Sequence, residues 1–333
     1  MAQIKLIPYK IEETVDTASE IPEGIAMIKA SEKWEKGYRG NGSVVAVIDT
    51  GCDQTHPDLE DRIIGGKNFT TENYGLPYDF SDENGHGTHV AGTIAANLNG
   101  EGVVGVAPEA KLLILKAFDK NGNGKLETII QSIQYAMQWR GSQNERVRVI
   151  SMSCGTTQND KRLHQVIRQA VQNNILIVCA AGNNGGDGEE STNERNYPGY
   201  FKEVLQVGGA VDNNGRLAAF SNTNDEIDLV APGVKIKSTY LGNKYALMSG
   251  TSMATPHVTG AAAVIIEQME LAFNRRLTEP EIYAQLVKST IPLKYSKRME
   301  GNGLIMLGER AFSPAQKESS LQGKVYIIPE ASL

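Results

Sequence analysis

Short, nearly unbroken apolar runs alternate along the chain with longer stretches in which apolar and polar positions mix. Val44-Val45-Ala46-Val47-Ile48 contains no polar residue, as expected of a strand covered on both faces. Leu112 to Leu115, Val147 to Ile150, Ile175 to Val178, Val204 to Val207 and Ile227 to Val230 read as further strands. Helices are expected between them over His86 to Ala96, Leu126 to Trp139, Lys161 to Gln172 and Glu279 to Val287. The last has Thr278 as its cap and Pro280 at its start. Strands alternating with helices predict a three-layer α/β fold, with helices on both faces of a mostly parallel, doubly wound sheet.

One stretch stands out from this alternation. Gly250-Thr251-Ser252-Met253-Ala254-Thr255-Pro256-His257 runs into a segment that is apolar nearly all round, through Val258, Ala261 to Ala263 and Val264 to Ile266. That is the pattern of a buried central helix. Proline is tolerated near a helix start, where its missing N–H has no partner to lose, so the helix is expected to begin near Thr251. Ser252 then lies in the first turn, where free N–H groups stabilise negative charge.

Residues 1–22 read as an N-terminal extension closed by Pro22, with one apolar patch at Leu6-Ile7-Pro8-Tyr9. A single main domain is expected over residues 23–310, and a polar tail over 311–333. The chain has 333 residues, enough for a sizeable core, and its 40% hydrophobic and 22% charged residues are ordinary for a globular protein. A net charge of −6 gives no support for nucleic acid or an anionic membrane as partner. No apolar run is long enough to cross a bilayer. The N-terminus lacks a secretory pattern, and Cys52, Cys154 and Cys179 are an odd count, so a reducing cytoplasm is the expected location.

Candidate chemistry gathers at predicted element ends. Asp49 closes the first buried strand, and ligands of open α/β sheets collect at the carboxyl ends of strands. His86 opens a helix after Asn84-Gly85. Asn183, in Ala180-Ala181-Gly182-Asn183, follows another strand and carries an amide donor. With Ser252 these supply an orienting acid, a base, an oxyanion donor and a nucleophile. His56, His89 and His257 are expected in packing roles, and His164 on a helix surface.

Three blocks carry a resemblance to the subtilisin family of serine proteases. They are Val47-Ile48-Asp49-Thr50-Gly51, His86-Gly87-Thr88-His89-Val90-Ala91-Gly92-Thr93, and Gly250 to His257. Their order, Asp then His then Ser, is that of subtilisins, and the resemblance runs from about Pro22 to Leu293. It implies that Ser252 attacks the scissile carbonyl, His86 carries the proton, Asp49 orients the imidazole, and Asn183 binds the oxyanion. It also implies polypeptide substrates, bound as an added strand between Gly122-Asn123-Gly124 and Ser153-Cys154-Gly155. The second edge departs from the family's usual Ser-Leu-Gly-Gly, since Cys154 and Thr156 replace Leu and the second Gly.

The same resemblance implies a structural calcium ion. The loop 97–103 aligns without a gap, counted from His86, on the family's tight calcium loop. The implied ligands are the side chains of Asp58 and Asn99 with the carbonyls of Asn97, Glu101 and Val103. Asp119 to Gly124 imitates an EF-hand start, but Ile130 stands where a bidentate Glu is required, so no calcium is expected there.

Leu6-Ile7-Pro8-Tyr9 resembles the intracellular branch of the family, in which a short extension lies back across the active site. There the C-terminal tail makes dimers, and Val325 to Pro329 is the candidate segment for a homodimer here, which the sequence by itself does not demonstrate. Two rival readings remain. A metal-dependent hydrolase would use Asp49, Asp53, His56, Asp58, His86 and His89. A non-catalytic peptide-binding relative would keep the cleft without the reaction.

Overall fold

A computed structural model describes residues 2–18, 20–185 and 192–308. The tail over 311–333, with its candidate dimer segment, lies outside the described residues. Among the described residues no helix is long and apolar enough to cross a membrane.

The strands, in chain order, are β1 (Gln3–Leu6), β2 (Lys10–Val15), β3 (Val44–Asp49), β4 (Ile63–Asn68), β5 (Lys111–Lys116), β6 (Asn123–Lys125) and β7 (Val147–Met152). They continue with β8 (Cys154–Gly155), β9 (Leu176–Ala180), β10 (Leu205–Val211), β11 (Leu229–Pro232), β12 (Ile236–Tyr240), β13 (Lys244–Ser249), β14 (Thr290–Ile291) and β15 (Leu304–Ile305). Among the described residues the main sheet has nine strands, in the order β14-β15-β11-β10-β9-β7-β3-β5-β4. Every pairing in it is parallel except β14 with β15. The expected α/β class and doubly wound sheet are both present.

Alternation along each strand divides the interior into two cores. Val45, Val47, Leu112, Ile114, Val149, Leu176 and Val178 face one side, packed with the helices His86–Ala95 and Thr251–Phe273. Val44, Ala46, Ile48, Leu113, Leu115, Ile150 and Ile177 face the other, with the helices Leu126–Gln138 and Lys161–Gln172. Each fully buried Val, Leu or Ile contributes roughly 1.5–3 kcal/mol. Asp160 caps the helix Lys161–Gln172 by accepting from the N–H groups of Arg162 and Leu163. Thr278 and Glu281 form a capping box on the helix Glu279–Lys288.

The central helix begins at Thr251, as expected, and Pro256 is its sixth residue, one turn in. The missing N–H would have paired with Ser252 O. The Ser153 hydroxyl donates to that carbonyl instead, at 3.2 Å. A side chain from the substrate edge, on the residue before β8, therefore compensates the helix and ties it to that edge.

The N-terminal segment is not a loose extension. β1 lies antiparallel between β6 and β8 in a three-stranded sheet. β2 lies antiparallel on β13 in another, of order β12-β13-β2.

Candidate active site

Four separate elements converge at the carboxyl end of the sheet. Asp49 ends β3, His86 opens its helix, Asn183 follows β9, and Ser252 is the second residue of the central helix. The His86 ring Nδ1 donates to Asp49 Oδ1 at 2.8 Å, which leaves Nε2 as the ring's basic nitrogen. Asp49 Oδ1 also accepts from the N–H of Thr50 at 2.8 Å. Gly87 lets the helix approach: a Cβ there would lie 2.2 Å from Gly51 O.

Asn183 is oriented by Thr251. Its Oδ1 accepts from the Thr251 N–H at 3.0 Å and from the Thr251 hydroxyl at 2.8 Å, so its NH₂ points away into the cleft. Gly250 leaves that amide room, since a Cβ would stand 2.8 Å from Asn183 Nδ2.

Asp49, His86 and Ser252 are all shut off from solvent. Their cover is the chain's own N-terminus. Leu6 donates its N–H to Gly122 O and Ile7 to Ser153 O, both at 3.0 Å. The Pro8 carbonyl accepts from Asn183 Nδ2 at 2.6 Å. The Tyr9 ring sits on the His86 ring, 4.6 Å between centroids, and its hydroxyl donates to Asn84 Oδ1 at 2.7 Å. Under this cover neither Ser252 Oγ nor His86 Nε2 makes a hydrogen bond among the described residues. Both edges expected from sequence thus hold a strand, and all four residues Leu6 to Tyr9 contact the cleft.

Cys154 pairs with Leu6 and is fully buried. Burial pushes its thiol well above the ordinary range, as it pushes Cys179 up to about 12, so neither is a ready thiolate.

The other histidines pack. His56 Nε2 lies 3.1 Å from Lys244 O, and His89 Nε2 3.0 Å from Ile236 O. His257 Nδ1 lies 2.9 Å from Met253 O. Burial lowers His89 to about 3 and His257 to about 4, so both stay neutral. His164 pairs with Glu203 at the surface of its helix. The ligand-type residues of the metal-dependent reading do not gather. Among the described residues no three His, Cys, Asp or Glu side chains form a group able to hold a metal ion.

The loop 97–103 does meet Asp58. Asp58 Oδ2 accepts from the Val103 N–H at 3.0 Å, and Asp58 O from the Asn97 N–H at 2.8 Å. Sequence reasoning missed one more carboxylate. Both Glu20 oxygens are buried beside this loop, and among the described residues neither makes a well-formed hydrogen bond. Burial first, and the nearby Asp58 charge after it, raise the Glu20 carboxyl, while the N–H groups of Gly100 and Asn99 act against them. Two acidic side chains at an oxygen-rich loop fit a hard cation such as calcium. The signal in sequence was a lone acid before Pro22, too common to single out.

Comparison with known proteins bears on this geometry. Residues 40–304 match the model of the subtilase family. An intracellular serine protease of Paenibacillus polymyxa is 52% identical over 305 residues, covering 92% of this chain and 91% of that protein. The major intracellular serine protease of Bacillus subtilis (strain 168) is 50% identical over 306 residues, covering 92% and 93%. Subtilisin E of the same organism is 43% identical over 251 residues, covering 75% and 62%.

Proposed function

The chain belongs to the subtilase family and is a serine endopeptidase acting on polypeptides, and from that premise we propose that it is an intracellular precursor whose own residues 1–22 hold the cleft closed. The proposed chemistry uses four side chains. Ser252 Oγ attacks the scissile carbonyl and gives its proton to His86 Nε2. His86 returns that proton to the leaving amine, and Asp49 holds the tautomer and stabilises the imidazolium. The Asn183 amide and the Ser252 N–H bind the oxyanion; losing such an amide donor costs roughly 100- to 1000-fold in turnover, a figure measured on a subtilisin. Water then hydrolyses the acyl-enzyme by the same route.

One observation carries the autoinhibition: the Pro8 carbonyl occupies the Asn183 amide at 2.6 Å, in a segment hydrogen-bonded to both substrate edges. A substrate cannot enter while that strand is in place. The names of the two relatives above support the intracellular location. The Asp58 and Glu20 carboxylates, with Asn99 and the carbonyls of Asn97, Glu101 and Val103, are proposed to hold a structural calcium. The ion would neutralise two buried acids and brace the loop.

The test is truncation. A chain lacking residues through Ser19 is expected to hydrolyse a peptide p-nitroanilide many-fold faster than the full chain, and to label with a fluorophosphonate at Ser252. Equal rates from the two chains would sink the autoinhibition, and unchanged hydrolysis by Ser252→Ala would sink the mechanism.

A further inference from the structure

The cleft does not end at Tyr9. Past it the chain runs on as β2, paired with β13 from Lys10↔Ser249 to Val15↔Tyr245. β13 leads directly into Gly250 and Ser252, so this edge is continuous with the nucleophile.

β2 is held in an unusual way for an apolar-cored protein. None of its six residues is buried, and Ile11 is 43% exposed. Only Val15 and, beyond the strand, Ala18 touch an apolar cluster. What attaches β2 is therefore its backbone ladder, which any extended chain can reproduce. The two partners are oppositely charged, although Glu12 also pairs with Lys10 of its own strand. Residues 233–250 carry three lysines, Lys235, Lys237 and Lys244, and no acid. The segment laid on them, Lys10 to Asp16, carries Glu12, Glu13 and Asp16 against one lysine. Asp16 pairs with Lys244 at 3.2 Å, and Glu12 accepts from the Ser249 hydroxyl at 3.2 Å.

We propose that once the N-terminal segment has left, the outer edge of β13 is a docking strand for the leaving-group side of the substrate, and that it favours extended, acidic sequence there. Counting from Pro8, whose carbonyl sits at the oxyanion donor, Lys10 is the second residue beyond and Asp16 the eighth. The docked stretch therefore covers positions two to eight after the cut bond. The inference rests on the autoinhibition reading, since it takes β2 as an image of bound substrate. It adds a determinant on the side of the scissile bond away from the acyl group. It also predicts that an acidic leaving fragment lingers and slows the next turnover.

The experiment uses the enzyme freed of residues through Ser19 and four internally quenched peptides. All share the acyl side and the first leaving residue. One stops there, and three continue for seven residues as Gly/Ser, Glu-rich or Lys-rich sequence. The Gly/Ser peptide is expected to exceed the short one in kcat/KM by about tenfold, the worth of one or two net hydrogen bonds. The Glu-rich peptide should exceed the Lys-rich one by a further factor of about two to five per ion pair, vanishing in 0.5 M salt. In a Lys235→Glu/Lys244→Glu enzyme the ratio of acidic to basic peptide should invert. Four peptides cleaved equally well by the unmutated enzyme would overturn the proposal, whatever the variant does. A peptide p-nitroanilide, which has no leaving-side residues, separates the two readings. If the processed enzyme fails to cleave it, the autoinhibition reading has failed, not the docking strand.

Discussion

The Pro8 carbonyl accepts from the Asn183 amide at 2.6 Å, while the N–H donated to Ser153 O comes from Ile7, one residue earlier. Pro8 has no N–H, so the residue at the oxyanion donor cannot also bond the Ser153 edge. A strand can thus lie in the cleft without presenting its own peptide bond for attack. Pro8→Ala restores the donor and removes the fixed φ. The full chain of this variant is expected to cut itself between residues 8 and 9, seen as a new N-terminus by mass spectrometry. A variant as resistant as its parent would show that the proline is not what protects the bond.

Glu20 and Asp58 place two acids by one loop, and the Glu20 oxygens have only the nearby N–H groups of Gly100 and Asn99 to set against that charge. Without a cation they repel, and burial of an unpaired carboxylate is unfavourable. With chelator present, Glu20→Gln is expected to melt higher than the parent. With calcium at millimolar concentration the order should reverse, because the variant loses a charged ligand and mass-action stabilisation shrinks with affinity. Thermal melts of both proteins in chelator and in calcium measure this. A parent whose melting point ignores calcium would remove the basis for the site.

Much of this was legible because the relevant signals are local. Strands covered on both faces must be apolar throughout, so β3 and β5 declare themselves. Ser252 and His86 sit in short blocks whose glycines and hydroxyls are demanded by close backbone approach. β4 was not legible: Ile63 to Asn68 is an edge strand of intermediate burial, and Gly66 is there because a Cβ would strike Phe80 and Ile114 O, both distant in sequence. β2 was invisible for a related reason, since its partner lies more than 200 residues away and its side chains are mostly wet. The compensation of Pro256 was not legible either, because it comes from Ser153, which no helix rule contains.

His257 links pH to stability. Its imidazole is fully buried against the helix Glu23–Met27, where a Cβ on Gly24 would lie 2.6 Å from Nε2. Burial lowers its pKa from 6.5 to about 4. Between those values the unfolded chain binds a proton that the folded chain refuses, so stability rises with pH across the window and is lost as pH falls from 6.5 towards 4. His89, lowered to about 3, acts in the same sense and further down. His257→Gln is expected to flatten the plot of melting temperature against pH in this window, taking up about one proton fewer on unfolding at pH 5. An unchanged slope would show that His257 is not held neutral.

Lys116 is a charged side chain fully buried beneath the site. Its side chain has no exposure, Nζ donates to Thr50 O at 2.6 Å, and it lies 3.0 Å from Glu72 Oε2. Glu72 Oε1 in turn accepts the N–H of Lys120, on the loop that leads into the substrate edge. Lys120 O accepts from Asn84, whose Oδ1 takes the His86 N–H. The ion pair thus joins the strand end bearing Asp49 to the edge that holds substrate. Glu72→Gln keeps the shape and the acceptor for Lys120 but leaves the ammonium without its counter-charge. Removing one partner of a buried pair costs about 3–5 kcal/mol, whereas replacing the pair can be neutral. Glu72 keeps some exposure, so water softens the loss: Glu72→Gln alone should lower stability by about 1–3 kcal/mol, and Glu72→Gln/Lys116→Met should recover most of it. Denaturant unfolding of parent, both single variants and the double variant closes the cycle. Additive losses would mean that the two charges do not act as a pair, and the connection from Asp49 to the substrate edge would have to run through backbone alone.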